Sequence, residues 1–138
     1  MALISVGGSA IITQVLKRWV FDWPRPSVVY FRDIEVLNVV EGVKLHTDHT
    51  FPSGHSTAAF AIFGLLALIT MKNKYLGFVF GFLALIAGFS RCYLFQHFPA
   101  DVLAGSFIGT MAALFTYSWL KDKKFGNWGI QSMFKKGS

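Results

Sequence analysis

Phe51-Pro52-Ser53-Gly54-His55-Ser56-Thr57-Ala58-Ala59-Phe60 marks the point where a polar loop turns into an apolar run. It sets a proline, a hydroxyl, a glycine and an imidazole at the mouth of a helix that continues uncharged as far as Met71. A helix start leaves backbone N–H groups outside the hydrogen-bond ladder and carries positive dipole charge, so it suits an anion such as phosphate. Gly54 allows a ligand close to the backbone, and His55 can hold or donate a proton. An ordinary capped helix start can carry the same residues, so the rest of the chain decides between the two readings.

Four stretches carry no charged side chain: 1–16, 56–71, 75–90 and 102–120. A helix spanning a bilayer needs about 17–25 apolar residues, so each run is near that length. Hydrophobic residues make up 54% of the chain and charged residues 14%. A soluble four-helix bundle would show polar stripes at helical spacing, and these runs show almost none. The pattern predicts an all-α membrane protein, a bundle of four transmembrane helices. The first runs from about Ala2 to Phe21, with Gly7, Gly8, Ser9 and Ala10 as a small-residue packing surface. Pro24 and Pro26 then stop any helix and stiffen the chain around Arg25. Residues 27–51 read as the single long extramembrane loop. The second helix begins near Ser53–Ser56 and ends at Met71, and Lys72-Asn73-Lys74 makes a tight turn into a third from Tyr75 to about Ser90. Pro99 and Asp101 suit the first turn of a fourth, ending near Lys121. Residues 1–16 lack a basic flank and are expected to be a retained helix. Residues 1–121 thus form one membrane domain and 122–138 a basic interfacial cytoplasmic tail.

The formal net charge is +6, and its placement matters more than its size. Lys72, Lys74, Lys121, Lys123, Lys124, Lys135 and Lys136 fall on one side of a four-helix topology. Lys17, Arg18, Arg25, Arg32, Lys44 and Arg91 fall on the other, with six of the seven acidic residues. Positive charge collects on the cytoplasmic side, so the lysine-only turn and tail belong there and the mixed-charge end faces outward from the plasma membrane. A tail interleaved with Phe125, Trp128 and Phe134 anchors on anionic lipid, which makes membrane lipids rather than nucleic acid the expected partner.

This topology brings Arg25, His55, Arg91 and His97 to one membrane face. Asp101 stands four residues beyond His97, close enough in a helical first turn to accept a ring N–H. That bond would fix the tautomer and leave the other nitrogen free as a nucleophile. Arginines offer planar forks to phosphate oxygens and stay charged at any relevant pH. Charged groups at membrane depth are costly, which marks them as functional candidates.

Pro52-Ser53-Gly54-His55 and the spacing of Ser90, Arg91, His97 and Asp101 resemble two motifs of the type 2 phosphatidic acid phosphatase (PAP2) superfamily, Pro-Ser-Gly-His and Ser-Arg-x5-His-x3-Asp. The first motif, Lys-x6-Arg-Pro, is matched at Arg25-Pro26 with one departure. Seven residues back from Arg25 stands Arg18, with Lys17 one position too early. Either Arg18 is the cation, or a local bulge at Trp23-Pro24 brings Lys17 into place. The resemblance covers residues 17–101 and implies a metal-independent phosphatase, without cofactor, acting on a lipid phosphate or diphosphate. It implies that His97 attacks phosphorus to form a phosphohistidine, that Asp101 orients it, and that His55 protonates the leaving oxygen and then activates water. Lys17 or Arg18, Arg25 and Arg91 would neutralise the phosphoryl charge, with Ser53, Gly54 and Ser90 adding donors. Membrane members of the family usually have six helices, so this chain resembles their last four.

Other residues read more plainly. His46, Asp48 and His49 could form a metal site with His55, although loop histidines so placed are more often solvated. The single cysteine, Cys92, excludes an internal disulfide and reads as a small filler. Trp19, Trp23, Trp119 and Trp128 read as interfacial belt residues. Two rival functions share the pocket: a vanadate-dependent haloperoxidase, which would need no membrane, and a non-catalytic lipid-phosphate-binding protein, which would need no intact histidine pair. The sequence sets neither the lipid nor the oligomeric state.

Overall fold

Each uncharged run becomes one helix: α1 (Ala2–Trp19), α2 (Gly54–Ile69), α3 (Lys74–Tyr93) and α4 (Pro99–Leu120). The structure is a computed structural model describing residues 1–19, 23–26, 29 and 50–121. Of the expected loop over 27–51, only Val29, Thr50 and Phe51 are described, and the basic tail over 122–138 lies outside the described residues.

Local chemistry starts and stops the helices. The Ser53 side chain caps α2 by accepting from the Ser56 N–H. Asn73 does the same for α3, accepting from the N–H groups of Tyr75 and Leu76. Pro99 opens α4, where its missing N–H costs nothing, and the Asp101 carboxylate accepts from the Phe98 N–H at 2.8 Å. Helix α3 runs three residues beyond the expected end near Ser90, so Arg91 lies inside its last turn. The chain then reverses through Phe95, which takes a left-handed φ of 54°.

The interior is polar and small while the outside is apolar and large. Buried hydrophobic residues are Ala61, Leu65, Ala84, Ala113 and Leu120, against ten buried polar residues among those described. Leu3, Ile11, Phe78, Phe107 and Phe115 are among the large apolar side chains turned outward. In water this arrangement would forfeit the main driving force for folding; in lipid, helices associate through close packing and interhelical hydrogen bonds instead. Helices α3 and α4 are long and apolar enough to cross a membrane, and α2 is a shorter apolar helix. Trp19 and Trp119 are exposed at opposite ends of the bundle, where a belt would place them.

Glycine sets the tightest contact. On α4 the buried residues Asp101, Gly105, Gly109 and Ala113 recur every four positions, and they face Thr57 and Ala61 of α2. A Cβ at Gly109 would stand 2.3 Å from the Thr57 carbonyl oxygen and 2.9 Å from the Ala61 nitrogen. A Cβ at Gly105 would stand 2.5 Å from the Ser53 carbonyl oxygen. The two backbones therefore touch, and no side chain intervenes.

Helix α1 packs differently from the expectation. Gly7 and Gly8 are exposed, and a Cβ on either would meet nothing within 4 Å. The buried stripe is Ser5, Ser9 and Thr13, again at a spacing of four. The Ser5 hydroxyl donates to the Ala61 carbonyl across the interface at 3.4 Å, and the Thr13 and Thr57 hydroxyls meet at 3.4 Å. One more step of four along this stripe reaches Lys17, not Arg18.

Gly109→Ala should destabilise the protein by roughly 1–3 kcal/mol, because backbone rather than a flexible side chain must give way. Gly81→Ala on α3, with open space around the new Cβ, should lose nothing. Thermal unfolding of both variants in detergent checks the difference.

Candidate active site

Asp101 is the fixed point of the site. It is 1% exposed and its carboxylate is held from three directions. The Thr50 hydroxyl donates to Oδ2, the Phe98 N–H donates to the same oxygen, and His97 Nδ1 stands 3.4 Å away. Its backbone carbonyl accepts from the Ser53 N–H at 3.0 Å, which ties the start of α4 to the start of α2. His97 is 3% exposed, and Thr50 Oγ1 lies 3.3 Å from its Nδ1. With Thr50 donating to Asp101, a hydrogen on Nδ1 has both oxygens as acceptors. That arrangement favours the Nδ1–H tautomer and leaves Nε2 with a lone pair.

The cations gather around this pair. Arg25 Nη1 donates to the Gln96 carbonyl at 3.1 Å, and Arg91 Nη1 donates to Gln96 Oε1 at 3.0 Å. Arg91 Nε is buried and has no hydrogen-bond partner among the described residues. A buried donor left unmatched costs about 1–3 kcal/mol, so an acceptor arriving there is favoured. Lys17 is half-buried and lies within Coulombic reach of Arg25 and Asp101, whereas Arg18 is exposed. His55 is exposed in the first turn of α2, within reach of the charges on Arg91, His97, Lys17 and Arg25. Burial holds the His97 imidazole below its ordinary pKa; Arg25 and Lys17 act in the same sense, and the Asp101 hydrogen bond opposes them.

The structure thus brings Lys17, Arg25, His55, Arg91, His97 and Asp101 to one end of the bundle. Of the expected donors, the Ser90 hydroxyl is occupied locally and the Ser53 hydroxyl is buried as an acceptor. The Ser53 hydroxyl is fully buried as the α2 cap and accepts from the Ser56 hydroxyl at 2.9 Å. The Ser90 hydroxyl donates to the Ala87 carbonyl at 2.8 Å. The N–H groups of Gly54 and His55 lie in the first turn of α2, where a helix has donors outside its own ladder. His46 and His49 lie outside the described residues. Among the described residues no three His, Cys, Asp or Glu side chains converge as a metal site.

Sequence reasoning missed Thr50 and Gln96. Neither belongs to a motif, and both act through contacts made only after folding. Thr50 is anchored by its N–H to the Trp23 carbonyl at 3.1 Å, so the proline segment before the loop positions it. Its place just ahead of Phe51-Pro52-Ser53 was the one available signal.

A family model described as the PAP2 superfamily matches residues 1–125. The chain belongs to the PAP2 superfamily. It is 36% identical over 86 residues to a bacitracin transport permease protein BcrC from Bacillus licheniformis, covering 62% of this chain and 40% of that one. It is 29% identical over 116 residues to an undecaprenyl-diphosphatase BcrC from Bacillus subtilis (strain 168), covering 84% of this chain and 54% of that one. Among solved structures, the first transmembrane PAP2-type phosphatidylglycerolphosphate phosphatase from Bacillus subtilis superposes with a TM-score of 0.68 at 26% identity. That likeness covers 90% of this chain and 60% of the other. The chain therefore spans about half the length of the relatives it matches. With a transmembrane PAP2 neighbour and an inside-out packing, the all-α bundle is that of a membrane protein.

Thr50→Val should cost about 1–3 kcal/mol of stability by leaving Asp101 and His97 one partner short. Thr50→Ser should restore most of it. Unfolding curves for the pair check this, because Val matches Thr in shape and lacks only the hydroxyl.

Proposed function

We propose that the protein is a metal-independent phosphatase of lipid phosphates or diphosphates, working at the extracytoplasmic face of the plasma membrane. The observation that carries this reading is a buried histidine whose Nδ1 is held by Asp101 and Thr50, at the end of the bundle where Arg25, Arg91, Lys17 and His55 gather. Two relatives, an undecaprenyl-diphosphatase and a phosphatidylglycerolphosphate phosphatase, support the substrate class. Lysines at the far turn, Lys72 and Lys74, support the outward orientation by the positive-inside rule.

His97 Nε2 attacks phosphorus, and the bond from phosphorus to the lipid oxygen breaks. His55 gives that oxygen a proton, so the alcohol or lipid monophosphate leaves neutralised by one charge. Asp101 stabilises the imidazole through Nδ1 during attack. Water then attacks the phosphohistidine, passing its proton to His55, and the phosphorus–nitrogen bond breaks to free phosphate. Arg25, Arg91 and Lys17 offset the charge that builds on the phosphoryl oxygens, and the Gly54 and His55 N–H groups add donors at the α2 start. A lipid substrate reaches such a site from the leaflet, with its headgroup at the depth of the cations and its tail beside the outward apolar faces.

Detergent-solubilised protein with EDTA should release phosphate from a panel of lipid monophosphates and diphosphates, and orthovanadate should inhibit it. His97→Ala should reduce release to background, while His55→Ala should lower it by roughly 10²–10⁴. Wild-type-like turnover in His97→Ala would refute the nucleophile. The pH profile carries a sign. Protonation silences the His97 lone pair, so its lowered pKa should place the acid limb of kcat/KM below the ordinary histidine value of about 6.5. Asp101→Asn removes an influence that raises this pKa and should move the limb lower still; an upward shift would contradict the arrangement.

A further inference from the structure

Gln96 stands between the two arginines of the site and touches both. Its carbonyl oxygen accepts from Arg25, and its side-chain Oε1 accepts from Arg91. Its own N–H donates back to the Arg91 carbonyl at 3.1 Å, beside the reversal at Phe95 that folds the residue over the end of α3. One residue therefore holds two guanidiniums that come from segments far apart in the chain.

We propose that Gln96 is a positioning residue that sets Arg25 and Arg91 as one clamp for a doubly charged tetrahedral anion while adding no countercharge of its own. This rests on the phosphatase reading of the same site. An arginine can be fixed most strongly by a carboxylate, through a charge-assisted bidentate pair. Such a pair would cancel the charge that the substrate needs. An amide or peptide oxygen accepts the same hydrogen bond and carries no net charge. Asp101 is the single acidic side chain among the described residues, and Thr50, Phe98 and His97 surround its carboxylate. No described carboxylate is therefore placed to do for Arg91 what Gln96 does. A guanidinium has five N–H donors, and Gln96 takes one Nη1 contact from Arg91. The buried Nε, without a hydrogen-bond partner among the described residues, belongs to that same group, so the residue that fixes the fork also fixes where this donor stands.

The test compares Gln96→Ala and Gln96→Glu in the full chain, using orthovanadate as the probe. Binding is read by thermal stabilisation and by inhibition of phosphate release, with KM and kcat measured separately. Gln96→Ala removes the side-chain acceptor, keeps the backbone one, and should weaken vanadate binding roughly tenfold, with KM rising more than kcat falls. Gln96→Glu keeps the shape and the acceptor but adds a charge. It should bind vanadate more weakly than Gln96→Ala, while unfolding at or above the temperature of that variant. A residue that only braced the fold would show the reverse order, since glutamate is the better mimic. Wild-type affinity in Gln96→Glu, affinity lost only in step with unfolding temperature, or no vanadate binding to the wild type would each overturn the proposal. The outcomes also separate it from the reading it rests on. A wild type that binds vanadate but hydrolyses no lipid phosphate, with binding lost in Gln96→Glu, keeps the clamp and ends the phosphatase. Turnover untouched by either substitution ends the clamp alone.

Discussion

Backbone contact between α2 and α4 is the constraint that the rest of the molecule obeys. At Gly105 and Gly109 there is no room for even a methyl group against the Ser53 and Thr57 carbonyls and the Ala61 nitrogen. This contact fixes the height of one helix relative to the other. One turn above Gly105 stands Asp101, and Ser53 at the facing end of α2 donates its N–H to the Asp101 carbonyl. The starts of two helices are thereby locked side by side, with His55 on one and His97 immediately before the other. Catalytic geometry needs this kind of rigidity, because small misplacements of reacting groups are costly in rate.

The polar interior and the charged end follow from the solvent. Lipid gives no reward for hiding leucine, so the interior is free to be built from serine, threonine and glycine that allow close approach. Thr13 donates to the Ser9 carbonyl of its own helix at 2.8 Å and stands 3.4 Å from the Thr57 hydroxyl, so its O–H is satisfied without water. Charged side chains have no such freedom at depth. They stand at the two ends, and Lys17, Arg25, Arg91 and Asp101 share the one where α1 and α3 finish and α2 and α4 begin. Lys17 and Arg25 repel each other at this range, with Arg91 beside the same His55, and an anion with two negative charges would offset that repulsion.

Much of this was legible in the residues. The helix positions followed from runs without charge, and the order of the motifs placed His55, Arg91, His97 and Asp101 at helix ends that share one face. Packing detail was not legible. Gly7 and Gly8 looked like the contact surface of α1, yet the hydroxyl stripe of Ser5, Ser9 and Thr13 takes that role, because a spacing of four keeps it on one side while the glycines turn away. The same periodicity separates Lys17 from Arg18, which counting along the motif left open. Ser53 and Ser90 looked like ligand donors; the Ala87 carbonyl takes the Ser90 hydroxyl, and the Ser53 hydroxyl is buried as the acceptor of the Ser56 N–H. Beyond Thr50's place next to Phe51-Pro52-Ser53, Thr50 and Gln96 gave little to read, since their side-chain partners lie 47 to 71 residues away or, for Arg91, across a turn that exists only once Phe95 reverses the chain.

The most direct measurement is an experimental map of the protein bound to orthovanadate. Vanadium should be bonded to His97 Nε2 at the Asp101 end of the bundle, with Arg25 and Arg91 on its oxygens and His55 on the side opposite the bond. Vanadate coordinated through His55 instead, or lodged away from the α2–α4 junction, would contradict it.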